Sequence, residues 1–185
     1  GCYTLGSAEP LNAIDSVICM GASISMAHGA KRAFEKNGIE KQVVSVIGDS
    51  TFLHTGINSL VDVAYNKGNT VNVILDNRIT AMTGHQQNPG TGFTLQMDPS
   101  YQVDFEQLVK AIGIEQVKTI NPIKLNEVNE ALEEAFAYDG PSVIITRWPC
   151  ALKKYSQQDI EEFGPLVDKC HVIYDNCKGC GICTK

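Results

Sequence analysis

The sequence predicts an α/β protein with a doubly wound, mostly parallel sheet and helices on both faces. Two observations lead to this prediction. The runs 43–47 and 71–75 are almost entirely apolar rather than alternating, which is typical of strands buried on both faces. Segments with apolar residues at helical spacing lie between such runs, so that strands and helices alternate along the chain.

The elements follow in order from the start of the chain. A short apolar run predicts a first strand at 15–19, and residues 21–37 form a predicted helix that Gly38 ends. The next strands are predicted at 42–47, 70–75, 114–120 and 142–148, with helices at 51–67, 104–112 and 125–138. The apolar faces of these three helices are Leu53, Ile57, Leu60, Val61 and Ala64; Phe105, Leu108, Val109 and Ile112; and Leu125, Val128, Leu132 and Phe136.

Polar residues follow two of the predicted strands at the point where each strand ends. Gly48, Asp49 and Ser50 follow the run 43–47 and open a helix, and Asp76 and Asn77 follow the run 71–75. A right-handed crossover between parallel strands places both tips at the sheet edge where α/β proteins bind ligands. The helix start can bind an anion, and the Asp49 and Asn77 oxygens are suitable ligands for Mg²⁺. The sequence therefore predicts a magnesium–diphosphate site, although either motif alone is also common in ordinary turns.

Two further segments adjoin this edge. Residues 77–100 show no periodicity and contain Gly84, Pro89 and Gly90, and a loop of that length is usually functional, which indicates a cofactor-covering role. The helix at 21–37 begins with small residues, which permit close approach to a ligand. Tight packing of helix on sheet explains those small residues equally well.

Composition excludes some classes of function. The net charge of −6 argues against binding to nucleic acid or an anionic membrane. No apolar run is long enough to span a bilayer, and the absence of a signal peptide from this sequence says little about the whole protein. Because the chain begins with glycine, we expect it to be part of a longer protein.

Four of the cysteines lie close together near the end of the chain. Seven are present, and Cys177, Cys180 and Cys183 form C-x-x-C-x-x-C, a spacing typical of iron–sulfur ligands rather than of disulfides. We expect a reducing cytoplasm and an incomplete [4Fe–4S] motif that lacks its fourth cysteine. A zinc site that also uses Cys170 is a further alternative.

Four motifs resemble a known family: GCYTLG at 1–6, CMGASI at 19–24, GDSTF at 48–52 and DNRITAMTGHQ at 76–86. In this order they are similar to the C-terminal thiamine diphosphate domain of the alpha subunit of indolepyruvate ferredoxin oxidoreductases, within the 2-oxoacid:ferredoxin oxidoreductase family. The resemblance implies a thiamine diphosphate domain at 1–150, a linker at 151–169 and a truncated ferredoxin-like iron–sulfur segment at 170–185.

The resemblance also implies site residues. Mg²⁺ would be held by Asp49, Asn77 and the Ile79 carbonyl. The residues implied along the cofactor are Cys2, Tyr3, Cys19, Gly21, Ala22, Ser23, Gly48, Asp49, Ser50, Asn77, Ile79, Thr80, Ala81 and Met82. The glutamate that activates the cofactor is expected in a separate pyrimidine-binding domain, so no catalytic residue is assigned here. Arg78, His54 and His85 are candidate substrate or proton-transfer groups, but such residues have structural or exposed roles at least as often, and they stay unassigned.

The function implied is oxidative decarboxylation of a 2-oxoacid, such as indolepyruvate or another aryl pyruvate, to an acyl-CoA. Coenzyme A, ferredoxin as electron acceptor and a smaller partner subunit are the expected partners. A different 2-oxoacid is one alternative. A non-catalytic electron-transfer or metal-binding module, in which 1–150 only scaffolds a cluster, is another.

Overall fold

The computed structural model describes residues 2–165, 173 and 176–180. Within this part of the chain, four parallel strands form a sheet in the order β1-β2-β4-β3. The strands are β1 (Val44–Gly48), β2 (Val71–Asp76), β3 (Gln116–Ile120) and β4 (Ser142–Arg147). The register pairs Gly48 with Leu75 and Asp76 with Arg147, so that the carboxyl ends of the three strands β1, β2 and β4 lie side by side.

Helices cover both faces of the sheet, as the sequence predicted. On one face α1 (Ser23–Lys36), α3 (Ile57–Tyr65) and α4 (Phe105–Ile112) pack on the larger core, whose buried members include Ile24, Leu60, Ile74 and Val109. On the other face α5 (Leu125–Ala137) buries Ala131 and Ala135 against Val71, Ile120 and Ile144. The prediction of a doubly wound α/β fold is therefore confirmed.

The helix that follows β1 is continuous but irregular. It begins as α2 (Asp49–Thr51), passes through a π-helical turn over Phe52–Gly56 and continues as α3. Phe52 in the π turn is fully buried, and its ring lies 6.0 Å from that of Phe105 in α4. Insertion of one residue into a helix in this way is frequent near functional sites.

One predicted strand is wrong. Residues 15–19 form no strand, although the run is apolar. Val17 and Ile18 are 47% and 57% exposed, which means that the run has neither a neighbouring strand nor a core to pack against here. A 3-10 helix over Cys2–Ser7 precedes this segment. The sequence pattern identifies an apolar run, but it does not identify the surface that buries it.

The loop that follows β2 is organised by its own hydrogen bonds. Backbone groups of Thr80 and Gln86 pair in both directions, at 2.9 and 3.2 Å. Farther along, Asn88 is buried, and its side-chain oxygen accepts a hydrogen bond from the Gly90 N–H at 2.8 Å. The loop is therefore built around internal turns and buries polar as well as apolar side chains.

The chain divides into two compact units, Gly1–Lys153 and Lys154–Lys185. In the second, α6 (Gln157–Phe163) begins at Ser156, which forms a reciprocal capping box with Asp159. This helix lies inside the segment 151–169 that the resemblance implies to be a linker.

No helix among the described residues is long and apolar enough to cross a membrane. Cys170 and Cys183, which the cluster and zinc predictions use, lie outside the described residues.

Candidate cofactor site at the strand tips

The tips of β1 and β2 meet at the Asp49 carboxyl group. Asp49 is the first residue after β1 and is buried, and its Oδ1 accepts a hydrogen bond from the Ser50 N–H at 2.6 Å. Its carboxyl group also accepts from the backbone N–H of Ile79, which follows β2. The same Ile79 N–H lies 3.2 Å from the side-chain oxygen of Asn77. The structure therefore brings together the three residues that were predicted to bind the metal.

The environment of Asp49 makes its charge costly. The pKa of Asp49 is raised from the ordinary value of 3.8 to about 7, chiefly by burial and in addition by the negative charge of Asp76. Hydrogen bonds from Ser50, Asn88 and Ile79 act in the opposite direction. A divalent cation bound here would offset the cost of burying the Asp49 charge and the repulsion between the carboxylates of Asp49 and Asp76. The side-chain oxygens that meet here, those of the Asp49 carboxylate and the Asn77 amide, are hard oxygen ligands that suit Mg²⁺.

The residues at the start of α1 lie close to the π turn that follows Asp49. Gly21 is buried and has φ +90°, and a β-carbon placed there would lie 2.6 Å from Cγ2 of Thr55 in the π turn. Thr55 in turn contacts Nδ1 of His54, which is exposed. Next to Gly21, the Ser23 hydroxyl is buried and has no hydrogen-bond partner within the part of the chain that is described. Such an orphaned hydroxyl is available to a bound group.

The remaining residues predicted along the cofactor are less closely tied to the strand tips. Cys19 and Met82 are exposed, and Thr80 and Ala81 lie in the turn after Ile79. The Thr80 hydroxyl is 3.4 Å from the side-chain nitrogen of Asn88. Cys2 and Tyr3 belong to the 3-10 helix at the start of the chain.

Two residues of the site, Asn88 and Arg147, were not found from the sequence. Asn88 reaches Asp49 from the middle of the loop. Arg147, at the end of β4, donates from Nε to Oδ2 of Asp76 at 2.7 Å, and Arg78 Nε lies 3.5 Å from the same oxygen. Arg78 stands inside the motif at 76–86, but Asn88 and Arg147 belong to no motif. Only the pairing of β4 with β2 brings Arg147 to Asp76.

The cysteine segment is only partly described. Cys177 and Cys180 are exposed free thiols, and Cys183 lies outside the described residues. No group of three His, Cys, Asp or Glu side chains that could hold a metal ion is present among the described residues. The proposed magnesium ligands do not form such a group, because only Asp49 among them is a residue of one of these four types. The iron–sulfur ligands therefore stay a prediction.

Comparison with known proteins agrees with this geometry. Residues 1–146 match the family model described as thiamine pyrophosphate enzyme, C-terminal TPP binding domain. The chain is 41% identical to the indolepyruvate oxidoreductase subunit IorA of Thermococcus kodakarensis, over 99% of this chain and 29% of that protein. It is also 41% identical to IorA of Archaeoglobus fulgidus, over 82% of this chain and 24% of that protein. The chain thus spans less than a third of the length of these curated relatives.

Solved structures show the same fold. A 2-oxoglutarate:ferredoxin oxidoreductase from Magnetococcus marinus superimposes with a TM-score of 0.65 at 17% identity, covering 77% of this chain and 50% of that one. A thiamine diphosphate-dependent 4-hydroxybenzoylformate decarboxylase from Rhodococcus jostii RHA1 gives a TM-score of 0.52 at 26% identity, covering 70% and 23%. The family match over residues 1–146 means that this chain belongs to the thiamine pyrophosphate enzymes, as their C-terminal TPP-binding domain.

Proposed function

We propose that this chain is the diphosphate-binding part of a thiamine diphosphate-dependent 2-oxoacid:ferredoxin oxidoreductase that acts on indolepyruvate or another aryl pyruvate. The observation that carries the proposal is the meeting of Asp49, Asn77 and Ile79 at one edge of the sheet. The similarity to two indolepyruvate oxidoreductase subunits supports the choice of substrate class.

In this proposal the chain's own residues hold the cofactor. Asp49, Asn77 and the Ile79 carbonyl would hold Mg²⁺, and with it the diphosphate of the cofactor. The Ser23 hydroxyl, which is buried without a hydrogen-bond partner among the described residues, and the backbone at Gly21 would face the cofactor. Thiamine diphosphate supplies an electron sink for decarboxylation of a 2-oxoacid. The glutamate that activates the cofactor comes from another part of the full protein.

The oxidative half of the proposed reaction needs a route for electrons. Cys177, Cys180 and Cys183 would bind a [4Fe–4S] cluster together with a fourth ligand, and ferredoxin would accept the electrons. Coenzyme A would take up the acyl group, and a smaller subunit would complete the enzyme in the cytoplasm. The cysteine spacing favours this oxidative reaction over simple decarboxylation, which requires no cluster.

Calorimetric titration tests the cofactor proposal. Thiamine diphosphate is titrated into the chain with Mg²⁺ present and again with excess EDTA. Binding that requires Mg²⁺, and that Asp49→Asn abolishes, is the expected result. Glu133→Gln is the matched control, because it removes the same charge from an exposed position on α5. A non-catalytic scaffold would show no magnesium-dependent binding, and that result would refute the proposal.

Reconstitution with iron and sulfide under anaerobic conditions tests the electron route separately. The visible absorption of an iron–sulfur cluster should appear in the unaltered chain when the missing ligand is supplied by an added thiol. Cys180→Ser should reduce this absorption strongly, whereas Cys19→Ser, outside the cysteine motif, should not. Equal absorption in both variants would remove the cysteine motif from the proposal.

A further inference from the structure

A group of three charged side chains, two of them buried, lies directly beside the proposed metal ligands. Asp76 is the last residue of β2 and is 2% exposed. Its Oδ2 accepts a hydrogen bond from Arg147 Nε at 2.7 Å and lies 3.5 Å from Arg78 Nε. The side chains of Arg147 and Arg78 are 25% and 8% exposed. We call Asp76, Arg78 and Arg147 the charged cluster.

The charged cluster fixes the backbone of the turn that follows β2. Oδ1 of Asp76 accepts from the Arg78 N–H at 3.3 Å, which closes the turn around Asn77. Arg78 has the left-handed backbone angle φ 60°, which is uncommon for a residue with a side chain. Because such a conformation is costly, the surrounding contacts must hold it.

Backbone contacts hold the same turn from the side of β4. The Trp148 N–H donates to the Asp76 carbonyl at 3.1 Å, and the Cys150 N–H donates to the Asn77 carbonyl at 3.0 Å. Arg147 precedes Trp148 directly, so its bond to Asp76 continues this row of contacts. The turn that carries Asn77 and Ile79 is thus fixed by the end of β4 as well as by its own strand.

Burying the charges of Asp76 and Arg78 costs free energy that apolar residues would not cost, so stability alone is a poor explanation of the charged cluster. We infer that Asp76 and Arg147 are positioning residues for the magnesium–diphosphate site: their ion pair sets the turn that presents the Asn77 and Ile79 oxygens. This inference deepens the proposed function and rests on it. Residues that orient metal ligands typically change metal affinity 10–100-fold when they are replaced.

Replacement of Arg147 distinguishes two effects on metal binding: the positioning of the metal ligands and the direct repulsion between the arginine and the cation. Removal of a nearby positive charge should by itself strengthen the binding of a cation, because repulsion is lost. Loss of positioning should weaken it. The two explanations therefore predict opposite signs for Arg147→Gln, whereas for Asp76→Asn both predict weaker binding.

The choice of metal ion gives a second readout. Mg²⁺ requires nearly ideal octahedral geometry, whereas Ca²⁺ accepts flexible coordination. A displaced turn should therefore weaken Mg²⁺ more than Ca²⁺. A loss of charge affects both ions alike and leaves the ratio of their dissociation constants unchanged.

The experiment measures the dissociation constants of Mg²⁺ and of Ca²⁺ for the whole chain at saturating thiamine diphosphate. The variants are Arg147→Gln, Arg147→Lys and Asp76→Asn. The control is Asn72→Val, which removes buried hydrogen bonds at the opposite end of the same strand. We expect Arg147→Gln and Asp76→Asn to weaken Mg²⁺ about tenfold or more, with a smaller loss for Ca²⁺. Arg147→Lys should recover part of the loss, and Asn72→Val should leave the ratio unchanged.

Tighter or unchanged Mg²⁺ binding in Arg147→Gln would overturn the inference while leaving the proposed function intact. An equal change of the Mg²⁺/Ca²⁺ ratio in Asn72→Val would also overturn it, because general destabilisation would then explain the result. Absence of magnesium-dependent binding in the unaltered chain would overturn the proposed function, and this inference with it. Should Asp76→Asn fail to fold, the two Arg147 variants, at a partly exposed strand end, decide the question.

Discussion

The side chain of Asn88 hydrogen-bonds the carboxyl group of Asp49, so that the middle of the long loop is fastened to the tip of β1. Asn88 is itself held by the loop, since its Oδ1 accepts from the Gly90 N–H and its backbone carbonyl from the Thr91 N–H. The bond to Asp49 favours the ionised carboxyl group and therefore lowers its pKa. The loop thus acts on the charge of the proposed metal ligand.

Asn88→Ala should weaken magnesium binding in a pH-dependent way. Without the hydrogen bond the pKa of Asp49 rises further above about 7, and a larger fraction of the carboxyl group is protonated at neutral pH. Calorimetry across the pH range should show a large loss of affinity near pH 7 that shrinks by pH 9. Gln87→Ala is the control, because that side chain donates to Met97 instead. A loss of the same size at every pH would exclude this explanation.

The pKa of Asp49 also predicts how stability depends on pH without metal. The pKa is higher in the folded chain, about 7, than the ordinary 3.8, so the folded state binds more protons between these values. The contribution of Asp49 to stability therefore falls as pH rises through this window, by at most about 1.4 kcal/mol per pH unit. Asp49→Asn should remove this dependence, so that the variant is the more stable protein at pH 8.

Urea unfolding of both proteins in EDTA at pH 5 and pH 8 measures the difference. The advantage of Asp49→Asn should be larger at pH 8 than at pH 5, and saturating Mg²⁺ with thiamine diphosphate should reverse it. An advantage that is equal at both pH values would mean that Asp49 keeps an ordinary pKa.

The sequence was sufficient for the parts of the site that lie at strand ends. Apolar runs identify β1 and β2, and the polar residue after each run must then lie at the sheet edge, so Asp49 and Asn77 were predictable. Residues 15–19 show the limit of the same argument, because an apolar run predicts a strand only where another strand is available to pair with it. Here Val17 and Ile18 are exposed.

Contacts that depend on strand order or on loop conformation could not be predicted. Arg147 meets Asp76 because β4 lies between β2 and β3, and no local pattern specifies that order. Asn88 interacts with Asp49 from the middle of the loop, beyond the turn that the Thr80–Gln86 pairing closes. Gly84 and Gly90 mark the loop in the sequence, but they do not indicate which of its polar side chains points inward.

Asn72→Val should destabilise the fold by roughly 1–3 kcal/mol, the cost of buried polar groups that lose their partners. Asn72 is fully buried in β2, accepts from the Ser45 hydroxyl at 2.8 Å and donates to the Ser142 carbonyl at 3.3 Å. The replacement leaves the buried Ser45 hydroxyl without its partner. Chemical denaturation measures the free energy of unfolding.

The double variant Ser45→Ala with Asn72→Val tests whether the two residues act as a pair. Ser45→Ala removes the hydroxyl that Asn72→Val leaves without a partner, so the double variant should lose less stability than the sum of the two single changes. Strict additivity would mean that the Ser45–Asn72 bond contributes nothing to the fold.

Gly21→Ala should destabilise the domain by roughly 1–3 kcal/mol, because it combines a strained backbone with a steric overlap. Gly21 has φ +90°, and its added β-carbon would lie 2.6 Å from Cγ2 and 2.7 Å from Cβ of Thr55. Gly29→Ala in the same segment is the control: a β-carbon there meets nothing within 4 Å, so alanine should stabilise α1 by about 0.5–1 kcal/mol. Thermal unfolding should therefore shift in opposite directions for the two glycines. Equal shifts would show that α1 does not approach the π turn as closely as the distance between Gly21 and Thr55 requires.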